Sequence, residues 1–224
     1  MSLSAAYAAL FAGVLVWALT VRRLATRPWE TPGPVAELKA GDFGSLAPHR
    51  VGLWTFLAVV TSLFSLFISA YFMRMEHGHG DWIRVPLPRI LWLNSGLLIL
   101  SSVAMQWARR SVRLGQRSAA NAGLIAGGAL TLAFLGGQLL GWRTLGASGY
   151  FLGPNPALAF FYLLTAVHGL HLLGGLAVWG RTLARMSRPM TKLADLRLSV
   201  ELCTLYWHYL LLVWLVLFAV LLST

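Results

Sequence analysis

Charge is what this chain has least of. Only 11% of its 224 residues are Asp, Glu, Lys or Arg, where a soluble domain carries roughly a quarter. That deficit excludes an ordinary water-soluble globule. Acidic residues are scarcest, 7 against 18 basic ones, for a formal charge of +11. An excess of that size suggests nucleic acid only when it forms a basic face on a soluble domain. Here the basic residues sit in short loops between apolar runs, the distribution that orients a membrane protein, so nucleic acid is excluded as a partner. A single cysteine, Cys203, excludes an internal disulfide. There is no Cys/His zinc spacing, no phosphate-binding Gly-Lys-Ser/Thr loop and no dinucleotide fingerprint.

What is present is apolar surface. Hydrophobic residues make up 58% of the chain and its mean hydropathy is +0.69. Six runs, at about 4–21, 51–73, 90–108, 120–142, 157–180 and 198–222, are each long enough to cross a hydrocarbon core of roughly 30 Å. The expected fold is an all-α integral membrane protein with six transmembrane helices. Residues 1–23 form an N-terminal transmembrane helix, 24–49 a cytoplasmic linker, and 50–224 a five-helix core. The first run is followed by Arg22, Arg23 and Arg27. That charge order is the reverse of a cleaved signal peptide, so the helix is read as retained. The linker is punctuated by Pro28, Pro32, Gly33, Pro34, Gly41, Gly44 and Pro48, and its Glu30, Glu37 and Asp42 read as solvated surface.

The five loops carry 5, 3, 4, 1 and 5 Lys+Arg in order, so the first, third and fifth hold 14 of the 18. Positive charge favours the cytoplasmic side, which puts both termini on the outer face of the membrane. Within the spans, Ser62, Ser65 and Ser69 share one helix face that is expected to pack inward. Asn94, Ser95, Ser101, Ser102 and Gln106 are expected to satisfy themselves by interhelical hydrogen bonds. Gly123-x-x-x-Gly127 and Gly137-x-x-x-Gly141 are close-approach sites for a neighbouring helix. The loop Glu76-His77-Gly78-His79-Gly80-Asp81 offers imidazoles and carboxylates, but alternate residues in a glycine-rich loop fix no metal geometry, and no site is assigned.

The last two runs hold ionisable groups at membrane depth, which is costly and marks a function or a buried pairing. His168 and His171 are three apart, about 60° around a helix, so they can face one neighbour. Glu201 and His208 are two turns apart on nearly one face. Counting at about 1.5 Å per residue, His171 and His208 share a depth of about 14 Å from the cytoplasmic boundary, and Glu201 lies within a turn of it. Closeness of His171 and His208 across the last two helices is therefore expected. Haem ligation would need neutral axial imidazoles, and a proton relay would need a second, deeper carboxylate. Neither is indicated, so helix pairing is the preferred reading of His168, His171, Glu201, Tyr206, Trp207 and His208. No residue of the chain is assigned as catalytic, cofactor-binding or metal-ligating.

His168-Gly169-Leu170-His171 with Gly174, then Glu201, Tyr206-Trp207-His208 and Val213-Trp214, resemble the last two helices of subunit III of haem-copper terminal oxidases. Gly52-Leu53-Trp54-Thr55-Phe56-Leu57-Ala58 resembles the start of that family's first core helix. Pro86, Pro88, Leu93-Asn94-Ser95 and Ser101-Ser102 resemble the next, so the likeness covers about residues 50–222. Two departures stand out: Ala58-Val59-Val60-Thr61 occupies the place of a membrane-embedded Glu, and Leu211 that of an Asp. No role of those carboxylates carries over, and the pattern is that of a divergent bacterial member.

The resemblance implies a non-catalytic subunit of a cytochrome c oxidase-type complex of aerobic electron transport. It implies haem and copper in partner subunits and none in this chain, and direct contact with subunit I and the presence of subunit II. It also implies phospholipid in a cleft, and support of assembly and of proton uptake in a proton-pumping enzyme. The alternatives are subunit III of a quinol oxidase, a subunit III-like accessory protein of nitric oxide reductase, and, from a different class, a free-standing membrane haem protein.

Overall fold

A backbone crossing lipid must satisfy its own hydrogen bonds, so each apolar run is expected to become one helix. The computed structural model describes residues 48–77, 82–83, 88–147, 155–188 and 193–223. The helix expected at 4–21 and the linker at 24–49 lie outside these residues. The five core runs are helices: α1 (Pro48–Glu76), α2 (Ile90–Arg113), α3 (Arg117–Ala147), α4 (Pro156–Met186) and α5 (Leu193–Leu222). All five are long and apolar enough to cross a membrane. The helices outrun the apolar segments, most at the end carrying Arg113, Arg185 and Arg197, here called the basic end. Hydropathy marks the lipid boundary, whereas helical backbone continues into the headgroup region, where arginine is no longer costly.

Local chemistry ends the helices. Gly115, at φ 77°, follows α2 in the left-handed region that glycine alone enters without strain. Its N–H reaches the Val112 carbonyl (3.2 Å) and the Gln116 N–H reaches Ser111 (2.9 Å), closing a Schellman turn into α3. Asn155 caps α4 by accepting from the Ala157 N–H (3.1 Å), with Pro156 at the first helical position. The same Asn155 amide binds both the N–H and the carbonyl of Ile83, at 3.3 and 2.9 Å, tying down the loop before α2. Arg117 spans from α3 to the carbonyls of Met186 (3.1 Å) and Arg188 (2.6 Å) at the end of α4, where a cation meets the negative end of the helix dipole.

The glycines of α3 position the bundle. A Cβ on Gly123 would lie 2.9 Å from the Ala108 backbone N, and one on Gly127 the same distance from the Met105 side chain. α3 therefore meets α2 with almost nothing between the backbones, as the small-residue spacing predicts. On the adjoining face the Trp179 ring of α4 lies on Gly128 and donates its N–H to the Leu124 carbonyl at 2.9 Å. Indoles also tie α5 to its neighbours. Trp207 lies between the Ser101 and Thr131 hydroxyls, at 3.1 and 2.9 Å, and both hydroxyls turn to the Gly127 carbonyl. Trp214 donates to Ser95 at 2.9 Å. Asn94 donates to Gln138 at 3.4 Å, and the Trp142 indole of α3 to the Thr165 hydroxyl of α4 at 3.1 Å.

α1 is attached most sparsely of the five. It buries Leu57, Val60, Phe64 and Tyr71, while Ser62, Ser65 and Ser69 point outward. The serine face was expected to pack inward, and the structure reverses it. Ser62 satisfies its hydroxyl on the Ala58 carbonyl one turn back (3.0 Å), so it needs no neighbour, and the large apolar face takes the contact.

Candidate functional site

The residues singled out in α4 and α5 form three separate environments. At the basic end, Glu201 accepts from the Arg113 Nε and Nη2 of α2 at 2.9 and 2.6 Å. Arg113 is 51% exposed and Glu201 16%, so the pair is worth no more than about 1 kcal/mol. Glu201→Gln is expected to lower the melting temperature of the purified chain only slightly. A collapse of membrane abundance on that substitution would show a larger role.

His208, two turns further along the same face, also meets α2. Its Nδ1 pairs with the Ser102 hydroxyl, and its Nε2 with the Gln106 Oε1 at 3.2 Å. The expectation that Glu201 and His208 share a face is met, and so is that of the α2 polar residues finding partners across helices.

His171 turns the other way. Its Nδ1 binds the Val167 carbonyl of its own helix at 2.7 Å, and its ring packs on Phe64 (5.4 Å) and Phe56 (6.3 Å) of α1. Among the described residues, no hydrogen-bond or ring partner of His171, which faces α1, is shared with His208, which faces α2, and this corrects the expected closeness of the two. Equal depth is not contact. Against Gly175 of α4, α5 presents Tyr206 and Trp207, and the next residue, His208, lies about 100° further round, toward α2.

His168 does share a neighbour with His171, since both rings touch Phe64. It is fully buried, boxed by Phe64, Phe134 and Trp214, and neither ring nitrogen has a hydrogen-bond partner among the described residues. Leaving such a group unpaired costs about 1–3 kcal/mol, which the surrounding packing absorbs.

Between these environments lies a cleft of about 460 Å³. It is walled by Gly52, Leu53 and Phe56 of α1, by Leu170 to Val178 of α4, and by Leu202, Cys203, Tyr206 and Trp207 of α5. The Tyr206 hydroxyl is spent on the His171 carbonyl at 3.0 Å, and Cys203 faces the Thr182 hydroxyl at 3.6 Å, so the wall offers almost no free polar group. α1 stands off the bundle at this end, held by the Tyr209 hydroxyl to Thr61 (2.9 Å) and to the Leu57 carbonyl (3.3 Å). The cleft runs about 12 Å along α4, from Leu170 to Val178, and Gly174, in its wall, has open space where a Cβ would stand.

Residue reasoning missed the indole ties of Trp142, Trp179 and Trp214. Each pairs with a hydroxyl or a backbone carbonyl on another helix, and no spacing within a single helix announces that. His77 of the glycine-rich loop binds the Met73 carbonyl at 3.0 Å, while His79 and Asp81 lie outside the described residues.

Comparison with known proteins places this arrangement. The family model described as "Cytochrome c oxidase subunit III" matches residues 49–223, the five-helix unit and little else. "Cytochrome c oxidase subunit 3" of Synechocystis sp. is 27% identical over 211 residues, 89% of each chain. The protein of the same name from Thermostichus vulcanus is 27% identical over 177 residues, 76% of this chain and 85% of the relative. "Cytochrome bo(3) ubiquinol oxidase subunit 3" of Pseudomonas aeruginosa is 28% identical over 174 residues, 75% and 81%. With the match extending over all five helices and both histidine-bearing segments, this multi-pass membrane chain belongs to the cytochrome c oxidase subunit III family.

Proposed function

We propose that the chain is the non-catalytic third subunit of a respiratory haem-copper oxygen reductase in a bacterial cytoplasmic membrane, with its basic end facing the cytoplasm. The observation that carries this is the family match across the whole five-helix unit. The side chains support a role beside the chemistry. The three membrane histidines do not fit an axial haem pair: one is boxed by aromatics, one turns to α1 and one to α2. Haem and copper accordingly belong to the catalytic subunit I. This chain contributes assembly and support of proton uptake there, with subunit II completing the complex.

The cleft is the site of a phospholipid chain. Its length suits one leaflet of the hydrocarbon core, and its wall is almost wholly apolar, the His171 ring being its one imidazole. Gly174, Val178, Arg181 and Arg185 follow one stripe of α4, so the cleft line ends on two exposed guanidinium groups at the depth of a headgroup phosphate. Gly174→Trp adds an indole to the cleft wall at a position where a Cβ meets nothing within 4 Å. It is expected to remove about one tightly bound phospholipid per chain, measured by phosphorus analysis after delipidating washes, and to leave the yield of the chain unchanged. Unchanged phosphorus would show that the lipid is held elsewhere.

The reading is tested by purifying the full-length chain through an affinity tag from its native membranes. Haem, copper and oxygen consumption should follow it. Recovery without a haem-copper subunit, or with one that consumes nitric oxide and not oxygen, would overturn it. A second reading, subunit III of a quinol oxidase, is favoured by the Pseudomonas aeruginosa relative. Supplying reduced cytochrome c and quinol in turn separates the two.

A further inference from the structure

The side chains of the cleft can accept hydrogen bonds and can give none. Four of the lining residues carry polar hydrogens on their side chains: His171, Cys203, Tyr206 and Trp207. Each of those hydrogens is already spent within the protein. The Trp207 indole donates to Ser101 and Thr131, and the Tyr206 hydroxyl to the His171 carbonyl. The Thr182 hydroxyl donates to the Val178 carbonyl at 3.1 Å, so the Cys203 thiol is the donor in its contact with Thr182. A carbonyl only accepts, so the Nδ1 of His171 carries the hydrogen that meets Val167. In the neutral ring that leaves a lone pair on Nε2, which has no partner among the described residues. Unlike the two nitrogens of His168, it is not sealed inside the bundle.

Depth narrows what can meet that lone pair. Counted from the end of the apolar run near residue 180, His171 lies roughly 14 Å inside a hydrocarbon core of roughly 30 Å, close to its middle. A phospholipid keeps its donors in the headgroup and brings only hydrocarbon to this level. The deep end of the cleft is also aromatic. The Phe56 ring lies 6.3 Å from that of His171 and 6.0 Å from that of Tyr206. A ligand complementary to this end has an aromatic head bearing a hydroxyl, and an apolar tail for the rest of the wall. A quinol with a prenyl tail has all of these, and it partitions into hydrocarbon. Its oxidised form, the quinone, offers carbonyl oxygens alone and would meet Nε2 lone pair to lone pair.

We propose that the cleft binds a prenyl quinol in its reduced form, with one hydroxyl donating to the Nε2 of His171 and the ring against Phe56. The proposal rests on the reading of the cleft as a lipid site and makes the quinol a competitor of the phospholipid chain. One hydrogen bond corresponds to about tenfold in affinity, and that is the margin by which the cleft separates quinol from quinone.

The test uses the full-length chain in phosphatidylcholine nanodiscs under argon. The probes are decylubiquinol held reduced, decylubiquinone, and hexadecanol as a hydroxyl without an aromatic head. Decylubiquinol should bind once per chain, about tenfold more tightly than either of the others. His171→Phe keeps a ring against Phe56 and Phe64 and removes the acceptor. It should lower the affinity for decylubiquinol to that for decylubiquinone and leave the latter unchanged. With isotope-labelled histidine, one acceptor-nitrogen resonance of the wild-type chain should shift with decylubiquinol and stay in place with decylubiquinone. Equal affinity for quinol and quinone would overturn the proposal, as would hexadecanol binding as tightly as decylubiquinol, or no quinol binding at all. So would a His171→Phe chain that still prefers the quinol. If that variant loses both forms, the nitrogen resonance decides, and its failure to shift overturns the proposal. The phosphorus retained by the washed wild-type chain is read separately. While it persists, each of these failures removes the quinol and leaves the phospholipid reading standing.

Discussion

Gly123→Leu is expected to prevent the chain from accumulating as a folded bundle. A Cβ at this position would lie 2.9 Å from the Ala108 backbone N and 3.0 Å from both the Ala104 carbonyl oxygen and the Ala108 Cα. Those atoms belong to the backbone of α2, so no rotamer change relieves the clash, and the two helices must separate. Overpacking in a close-packed interior costs about 1–3 kcal/mol even where side chains can give way. A branched side chain against rigid backbone lies at or above the top of that range. Stability losses of that size reduce steady-state abundance several-fold or more. Gly136→Leu is the matched control, since nothing lies within 4 Å of its Cβ position. Immunoblots of membranes and size-exclusion of the solubilised chain should show the first variant lost or aggregated and the second at wild-type level. Equal behaviour of the two would mean that the α2–α3 approach does not hold the bundle together.

Trp207→Ala carries the next largest expected effect. The side chain is 1% exposed and fills the centre where α2, α3, α4 and α5 meet. Deleting a core aromatic from a soluble protein costs about 3–5 kcal/mol, from lost transfer free energy and from the cavity left behind. In lipid the transfer part shrinks, because the surrounding tails are as apolar as the core, and the cavity part remains. The low end, about 3 kcal/mol, is the expected loss. Trp207→Phe keeps most of the volume and loses the N–H shared by Ser101 and Thr131. Their hydroxyls still donate to the Gly127 carbonyl, so about 1 kcal/mol is expected. Melting temperatures of the purified chain should fall in the order wild type, Phe, Ala. A Phe variant as damaged as the Ala variant would mean that the hydrogen bond, and not the filled volume, holds α5 in place.

The spans were legible because each core run in the sequence is long, apolar and bounded by arginine, and lipid permits only one conformation for such a run. Shared faces within one helix were legible too. His168 and His171 meet at Phe64, Glu201 and His208 both turn to α2, and the Gly123 spacing marks a close approach. Relations between helices were not. The depth of His171 and His208 follows from counting residues, but their azimuth depends on which neighbour each helix meets, and that is a property of the whole bundle. Ser62, Ser65 and Ser69 fail for a related reason: periodicity identifies a face but not its direction, and a serine that bonds its own backbone has no preference for the inside. The tryptophan ties escaped because an indole N–H takes any acceptor within reach, and its acceptors here lie on other helices 23 to 119 residues away in sequence.

The central claim is that this chain belongs to an oxygen-reducing complex whose redox centres lie in a neighbouring subunit. The most direct test is the visible absorption spectrum of one tagged preparation before and after the chain is separated from its partners in detergent. The account predicts haem bands and oxygen consumption in the intact complex, and a separated chain that is monodisperse and colourless while the haem stays with the partner fraction. Haem retained by the separated chain in stoichiometric amount would contradict it, and would make this chain a haem protein in its own right.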